Sequence, residues 1–385
     1  MSEVTINGEK YASIEDYIES TKPLPEIKAG ERASETSKYQ TAVIPKGFTV
    51  SNATGEKDVE KGLVIYDIPD KEIENVKWDG TEKTKYNQFV WIPVEVNKTT
   101  EPVDTETSIA AFTRSIWKSN AETGGERKPG LITNYIEPDA TNDTDDKTGI
   151  ANQIANLTKS IYKYGGFYIG RYEAGSETER KSASATEVTP IGIKQDMYPY
   201  NYVKWGESMS NIGTVGAVYL SNSLYNSKKP NYGATSMLCT GACWDSMLDF
   251  IKDEEHNVSN STSWGNYNDA EFDITRGKYA EYANGTLGSF TPVDGTYTKK
   301  PYSVSKKYIL LTTGATERNS AKNIYDVAGN CWEWTTESHQ STSRVNRGGR
   351  YVLDGVNNPA YLRNCPSADD SDHDVSFRSA LYVNL

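Results

Sequence analysis

Cys239 and Cys243 stand four residues apart at the start of a helical stretch, a spacing at which paired thiolates can bind a metal ion. A tetrahedral site needs two further ligands, and the sequence offers no second CxxC or CxxH unit and only three histidines. Burial of both thiols is therefore expected. Asp370, Asp372 and Asp374 open like a calcium loop, but Val375 stands where its glycine belongs and Leu381 where its bidentate glutamate belongs. That match fails. His256 is isolated and reads as a solvated surface residue. No nucleophile elbow or phosphate-binding glycine loop occurs. The single Arg347-Gly348-Gly349 triplet falls far short of a repeated arginine-glycine RNA-binding segment. What remains is an aromatic pattern. Trp332 and Trp334, two apart, face one side of an extended segment, where they can anchor a loop-rich domain. Gly348 and Gly349 permit a bend beside large rings, and Arg378 can satisfy buried carbonyls through its five donors.

Composition narrows the classes further. The 385 residues carry 41 Lys and Arg against 53 Asp and Glu, a formal charge of −12. An acidic chain with no basic block is a poor partner for nucleic acid, whose phosphates are bound by neutralising them. Mean hydropathy is −0.67 and no apolar run approaches the length of a membrane span. The N-terminus shows neither a basic nor an apolar signal region, so synthesis in the cytoplasm without a signal peptide is expected. Four cysteines suit a reducing compartment rather than a disulfide scaffold. Eight Trp, 26 Tyr and 8 Phe supply enough burial for a folded α+β protein despite the low apolar fraction.

The elements that must position these residues follow from pattern. Residues 1–60 read as a small N-terminal attachment or linker module: a short helix over 11–20 with Ser13 and Asp16 in a capping box, a stop at Pro23 and Pro25, and a polar linker over 26–40. Residues 61–385 read as the main domain. Strands are expected at 41–44, 48–50, 63–65, 89–94 and 167–173, the last alternating as a half-buried strand. Residues 105–117 read as helix-prone and 140–146 as a surface loop. Ile150, Ile154, Leu157 and Ile161 have helical spacing. Two further helices are expected at 215–225 and, with Thr240 as N-cap, over 243–251. Residues 257–300 read as turn-rich, and the last eighty as short strands.

Asn323-Ile324-Tyr325-Asp326-Val327-Ala328-Gly329-Asn330-Cys331-Trp332-Glu333-Trp334-Thr335 is followed by Arg344-Val345-Asn346-Arg347-Gly348-Gly349 and by Phe377-Arg378. This resembles the formylglycine-generating-enzyme-like branch of the C-type lectin fold, with its AGNxWEWT, RGG and FR motifs in that order. Val90-Trp91-Ile92-Pro93, residues 167–173, Tyr202-Val203-Lys204-Trp205 and residues 238–245 match its earlier landmarks. The resemblance runs from about residue 85 to the end and implies a loop-rich α+β fold.

It also implies what is missing. The family's enzymes use two cysteines beyond the RGG motif, and those positions here hold Leu353 and Asn358; only Cys365 follows the motif. Three scattered histidines cannot build the iron site of the related sulfoxide synthases. A formylglycine-generating oxidase is thus the least expected reading. The segment in the catalytic position, RYVLDGVNNPAYLRNCPSADDSDHD over 350–374, is polar and oddly mixed between fixed frames. It resembles the variable region of diversity-generating-retroelement target proteins, in which adenine randomisation scatters Asn codons into many residues. The resemblance implies a non-catalytic, retroelement-diversified protein, with a variable segment about 338–374. An undiversified lectin-like or structural phage tail protein is the alternative.

Under this reading the contact residues are Arg350, Val352, Leu353, Asp354, Val356, Tyr361, Leu362, Asn364, Cys365, Pro366, Asp369, Asp370, Asp372, His373 and Asp374, with His339 at the margin. Trp332, Trp334, Arg347, Gly348, Gly349 and Arg378 are scaffold. Arg350, Tyr361 and Leu362 are the expected energetic anchors. The partner is a protein or cell-surface ligand, with nucleic acid excluded and with the N-terminal module attaching to a phage tail in a virion. No cofactor is expected, with a structural calcium or magnesium ion left open.

Overall fold

The computed structural model describes residues 4–6, 9–11, 42–68, 70–96, 109, 111–130, 132–138, 149–182, 190–207, 213–226, 228–229, 231–339 and 343–385. The strands that matter below are β1 (Thr49–Val50), β2 (Val64–Tyr66), β3 (Gln88–Pro93), β4 (Gly166–Gly170), β5 (Ala234–Leu238), β6 (Lys278–Ala283), β7 (Tyr308–Leu311), β8 (Trp332–His339), β9 (Ser343–Arg347), β10 (Arg363–Asn364), β11 (Val375–Phe377) and β12 (Ser379–Val383). The helices that matter below are α1 (Ile150–Tyr164), α2 (Ala217–Leu224) and α3 (Gly241–Ile251).

A six-stranded antiparallel sheet in the order β5-β12-β4-β3-β2-β1 forms the base. Leu157 and Ile161 of α1 pack on Phe167 and Ile169 of β4, while Tyr168 meets Trp91 on the opposite face, with ring centroids 4.9 Å apart. Both faces being covered, β4 is buried throughout instead of alternating as expected. A second sheet, β10-β9-β8-β11, carries the Trp-rich segment. Here β8 runs parallel to β11 and antiparallel to β9, with a register shift between Trp334 and Ser338.

Period-2 geometry sorts the β8 side chains as expected. Trp332 and Trp334 enter one apolar cluster with Trp205, Phe377 and Leu381. Glu333, between them, pairs with buried Arg378, which also donates to the carbonyls of Gly170 (2.9 Å) and Tyr325 (2.8 Å). Gly349, at φ +80, has the Asn358 carbonyl 2.4 Å from where a Cβ would sit, so no larger residue fits there. Thr240 caps α3, its hydroxyl accepting from the Cys243 N–H at 2.9 Å.

Several expectations are corrected. Residues 105–117 do not end as helix: Ser115–Lys118 is a strand, and its buried-exposed alternation shows why. Ala42–Pro45 is irregular rather than strand. Glu9–Tyr11 pairs with Val4–Ile6, while most of the helix expected over 11–20, the linker 26–40 and the loop 140–146 lie outside the described residues. Phe48 and Val59, inside the range assigned to an N-terminal module, are built into the main apolar core, and β1 belongs to the main sheet. The turn-rich stretch 257–300 holds β6, which pairs with β7 and with two short strands to form a small tyrosine-rich sheet. Among the described residues no helix is long and apolar enough to cross a membrane.

A buried acid cluster makes stability pH-dependent. Burial pushes Asp326 up to about 6 and Glu333 up to about 7, the latter despite the Arg378 guanidinium beside it. Folding therefore holds protons that the unfolded chain has released, and stability falls as pH rises from about 4 towards 7. Glu56 and Asp245 act oppositely: burial raises each, but arginines overcome it and hold both at about 2, so their contribution is lost only below about pH 4. Asp326 lies at φ +60, which Asn tolerates. Asp326→Asn is expected to flatten the loss between pH 4 and 6, measured as urea midpoints at each pH. An unchanged slope would show that Asp326 does not hold the proton.

Candidate functional site

Residues 350–374 leave the second sheet after Gly349, return through β10 and re-enter it at β11. Anchors from elsewhere in the chain reach main-chain atoms of this segment almost exclusively. Asn268 donates its N–H to the Leu353 carbonyl (2.8 Å) and its amide to the Val352 carbonyl (2.9 Å). Ser261 donates to the Gly355 carbonyl and accepts from the Ala360 N–H, and the Trp244 indole donates to the Ala360 carbonyl. The Pro366, Ala368 and Asp372 carbonyls accept from the N–H groups of Arg344, Trp205 and Tyr202. The Asn201 amide holds the His373 carbonyl at 2.9 Å. Main-chain anchoring satisfies buried backbone polarity without specifying which side chains the segment carries.

Among the described residues, one side chain of the segment ion-pairs with residues outside it. Arg363 donates to Asp245 (2.6 Å) and Glu337 (2.9 Å), the carboxylates that also hold Arg347 (2.7 and 3.1 Å). Asp245, Glu337 and Arg347 are buried and the Arg363 side chain is 7% exposed, and Trp117 and the Ser115 N–H complete the Asp245 shell. Two guanidiniums against two carboxylates, with every carboxylate oxygen bonded and only the Arg347 Nε left without a partner, is close to the condition under which buried charge is tolerated.

The expected contact residues fall into three groups. Val356, Asn364, Asp369, Asp370 and Asp372 are exposed. Arg350, Val352, Leu353, Asp354, Tyr361, Leu362, Cys365, Pro366 and His339 are half-buried. Leu353 and Leu362 lean on the main core and Val352 on a small cluster around Tyr351, while His339 sits against Tyr135. His373 and Asp374 are buried, a correction to their expected place on the surface. Tyr282 of β6 covers the His373 ring at 4.1 Å, and Asp374 is drawn inward by Arg350 at 2.7 Å. Exposed Asn357 and Ser367 belong to the face and were not singled out by residue type. Arg363 was also missed, because its partners are remote in sequence.

Chemistry finds little purchase. Cys239, Cys243 and Cys331 are buried, and Cys365 is half-buried beside the Tyr135 hydroxyl. Burial raises all four thiols, Cys243 to about 12, opposite to the activation that a nucleophilic thiolate needs. A separate cavity of about 330 Å³, lined by Phe112, Arg114, Glu137 and Thr240 among others, includes no residue of 350–374.

No curated protein matches the chain. Among solved structures, Treponema denticola variable protein 1 is similar at 14% identity, covering 56% of this chain and 84% of that one, with a TM-score of 0.30. The family described as the Sulfatase-modifying factor enzyme 1-like domain matches residues 242–382, a span that takes in α3, both tryptophans of β8, Arg347 and Arg378. Over that span the chain is similar to that family, within a loop-rich α+β fold of the C-type lectin kind.

Proposed function

We propose that this protein binds ligands without catalysis, through a surface built by residues 350–372 whose side chains are exchanged by a retroelement. The observation that carries the reading is the main-chain anchoring of that segment: the fold grips its backbone and leaves Val356, Asn364, Asp369, Asp370 and Asp372 exposed. Exchange of such side chains alters recognition while the scaffold persists. The catalytic alternative is disfavoured by Leu353 and Asn358 at the expected thiol positions and by the raised thiols. Attachment to a phage tail through the first forty residues belongs to the same proposal.

Two measurements bear on it. The flanking DNA should contain a reverse-transcriptase gene and a near-copy of the segment encoding 344–385 that differs at adenines; absence of both overturns diversification. Second, replacing Val356, Asn364, Asp369 and Asp370 together by Ser should leave the urea midpoint nearly unchanged, each site being within about 0.5 kcal/mol of neutral. A cooperative loss of several kcal/mol would show that these side chains hold the fold.

A further inference from the structure

Asp372, His373 and Asp374 sit where the candidate face meets the tyrosine-rich sheet. The His373 imidazole lies 4.1 Å from the Tyr282 ring, and its Nδ1 is 2.6 Å from the Tyr351 hydroxyl. From the other side Tyr202, held at φ +53, donates its N–H to the Asp372 carbonyl. Burial first, and then Asp372, Asp374 and Tyr282, raise the Tyr202 phenol. Charge in this recess is unbalanced. Asp374, with its side chain 1% exposed, gives Oδ2 to Arg350, and its Oδ1 has no hydrogen-bond partner. Asp372, 54% exposed, has no Lys or Arg among the described residues as ion-pair partner. Two carboxylates thus face one guanidinium and the His373 imidazole, beside half-buried aromatic rings.

We infer that the recess between Tyr202, Tyr282 and Asp372 receives an organic monocation, the ammonium or guanidinium of a lysine or arginine side chain on a protein ligand. This rests on the reading of the face as a ligand-binding surface and names the chemistry of one subsite within it. Aromatic faces attract cations through their quadrupole, and a neighbouring carboxylate fixes the charge. A divalent metal ion is a poorer fit. Asp372 approaches His373 at Nε2 and Asp374 approaches it at Nδ1, each at 3.7 Å, so the carboxylates address opposite edges of one ring. A single ion with donors at about 2.0–2.6 Å cannot use that imidazole with both. Nδ1 is also engaged by Tyr351.

The three histidines make the test direct. Imidazole Cε1–H resonances are assigned with His256→Gln and His339→Gln, and the intact chain is titrated with Nα-acetyl-lysine amide and, separately, calcium chloride. The amide should shift the His373 resonance saturably in the millimolar range. Asp372→Asn, at an exposed position, should weaken this at least about fivefold, and Tyr282→Leu should weaken it as well. Calcium should leave the resonance in place. No shift with the amide, an equal response in Asp372→Asn, or saturation by calcium each overturns the inference. Failure here leaves the flanking DNA and the serine-substituted variant unaffected, so the two proposals fail separately.

Discussion

Asp245→Asn should lower the free energy of unfolding by about 3–5 kcal/mol, the range for removing one partner of a buried ion pair. Asp245 accepts from Arg347, Arg363, the Trp117 indole and the Ser115 N–H. An amide in its place turns two acceptor positions into one acceptor and one donor, and that donor meets guanidinium N–H groups. Glu337 alone then faces two arginines in a site without water-exposed charge. Single domains are stable by about 5–15 kcal/mol, so the loss is a large share. Urea unfolding followed by tryptophan fluorescence measures it. A loss below about 1 kcal/mol would mean that the network is not what holds β10 against α3.

Trp334→Ala should cost a comparable amount, about 3–5 kcal/mol, for a different reason. The indole is fully buried in the cluster beneath the face, and its N–H donates to the Val203 carbonyl at 2.9 Å. Alanine leaves a cavity and an unpaired carbonyl together. Val203 lies in the 201–205 turn whose residues grip Ala368, Asp372 and His373, so amide exchange over 366–373 should accelerate more than elsewhere. Uniform acceleration across the chain would separate Trp334 from the face.

The legible parts of this protein are those written in local sequence. Thr240 before an amphipathic run marked α3, and tryptophans two apart marked the inward side of β8. The spacing of Ile150, Leu157 and Ile161 marked α1. The Arg347 network was not legible, because Asp245, Glu337 and Arg363 come from three separate elements and no short motif contains them. Nor was the inward turn of His373 and Asp374. It depends on Tyr282, which reaches them from a sheet hidden in a stretch that reads as turns. The candidate face is legible as a polar, oddly mixed stretch between fixed frames, but its depth is set by residues some ninety positions away.

The place of β12 carries a consequence for any gene that varies codons 350–374. That strand follows the face in sequence and lies inside the main sheet, between β5 and β4. A stop or frameshift within the varied codons therefore deletes an interior strand as well as a loop, and Ala380, Leu381 and Val383 leave the core with it. Defective reading frames yield chains that cannot close the sheet and are open to proteolysis. Full-length substitutions at the exposed positions Val356, Asn364, Asp369, Asp370 and Asp372 pass. The order of elements thus acts as a proofreading step at the level of folding, and every stable product displays an unbroken face.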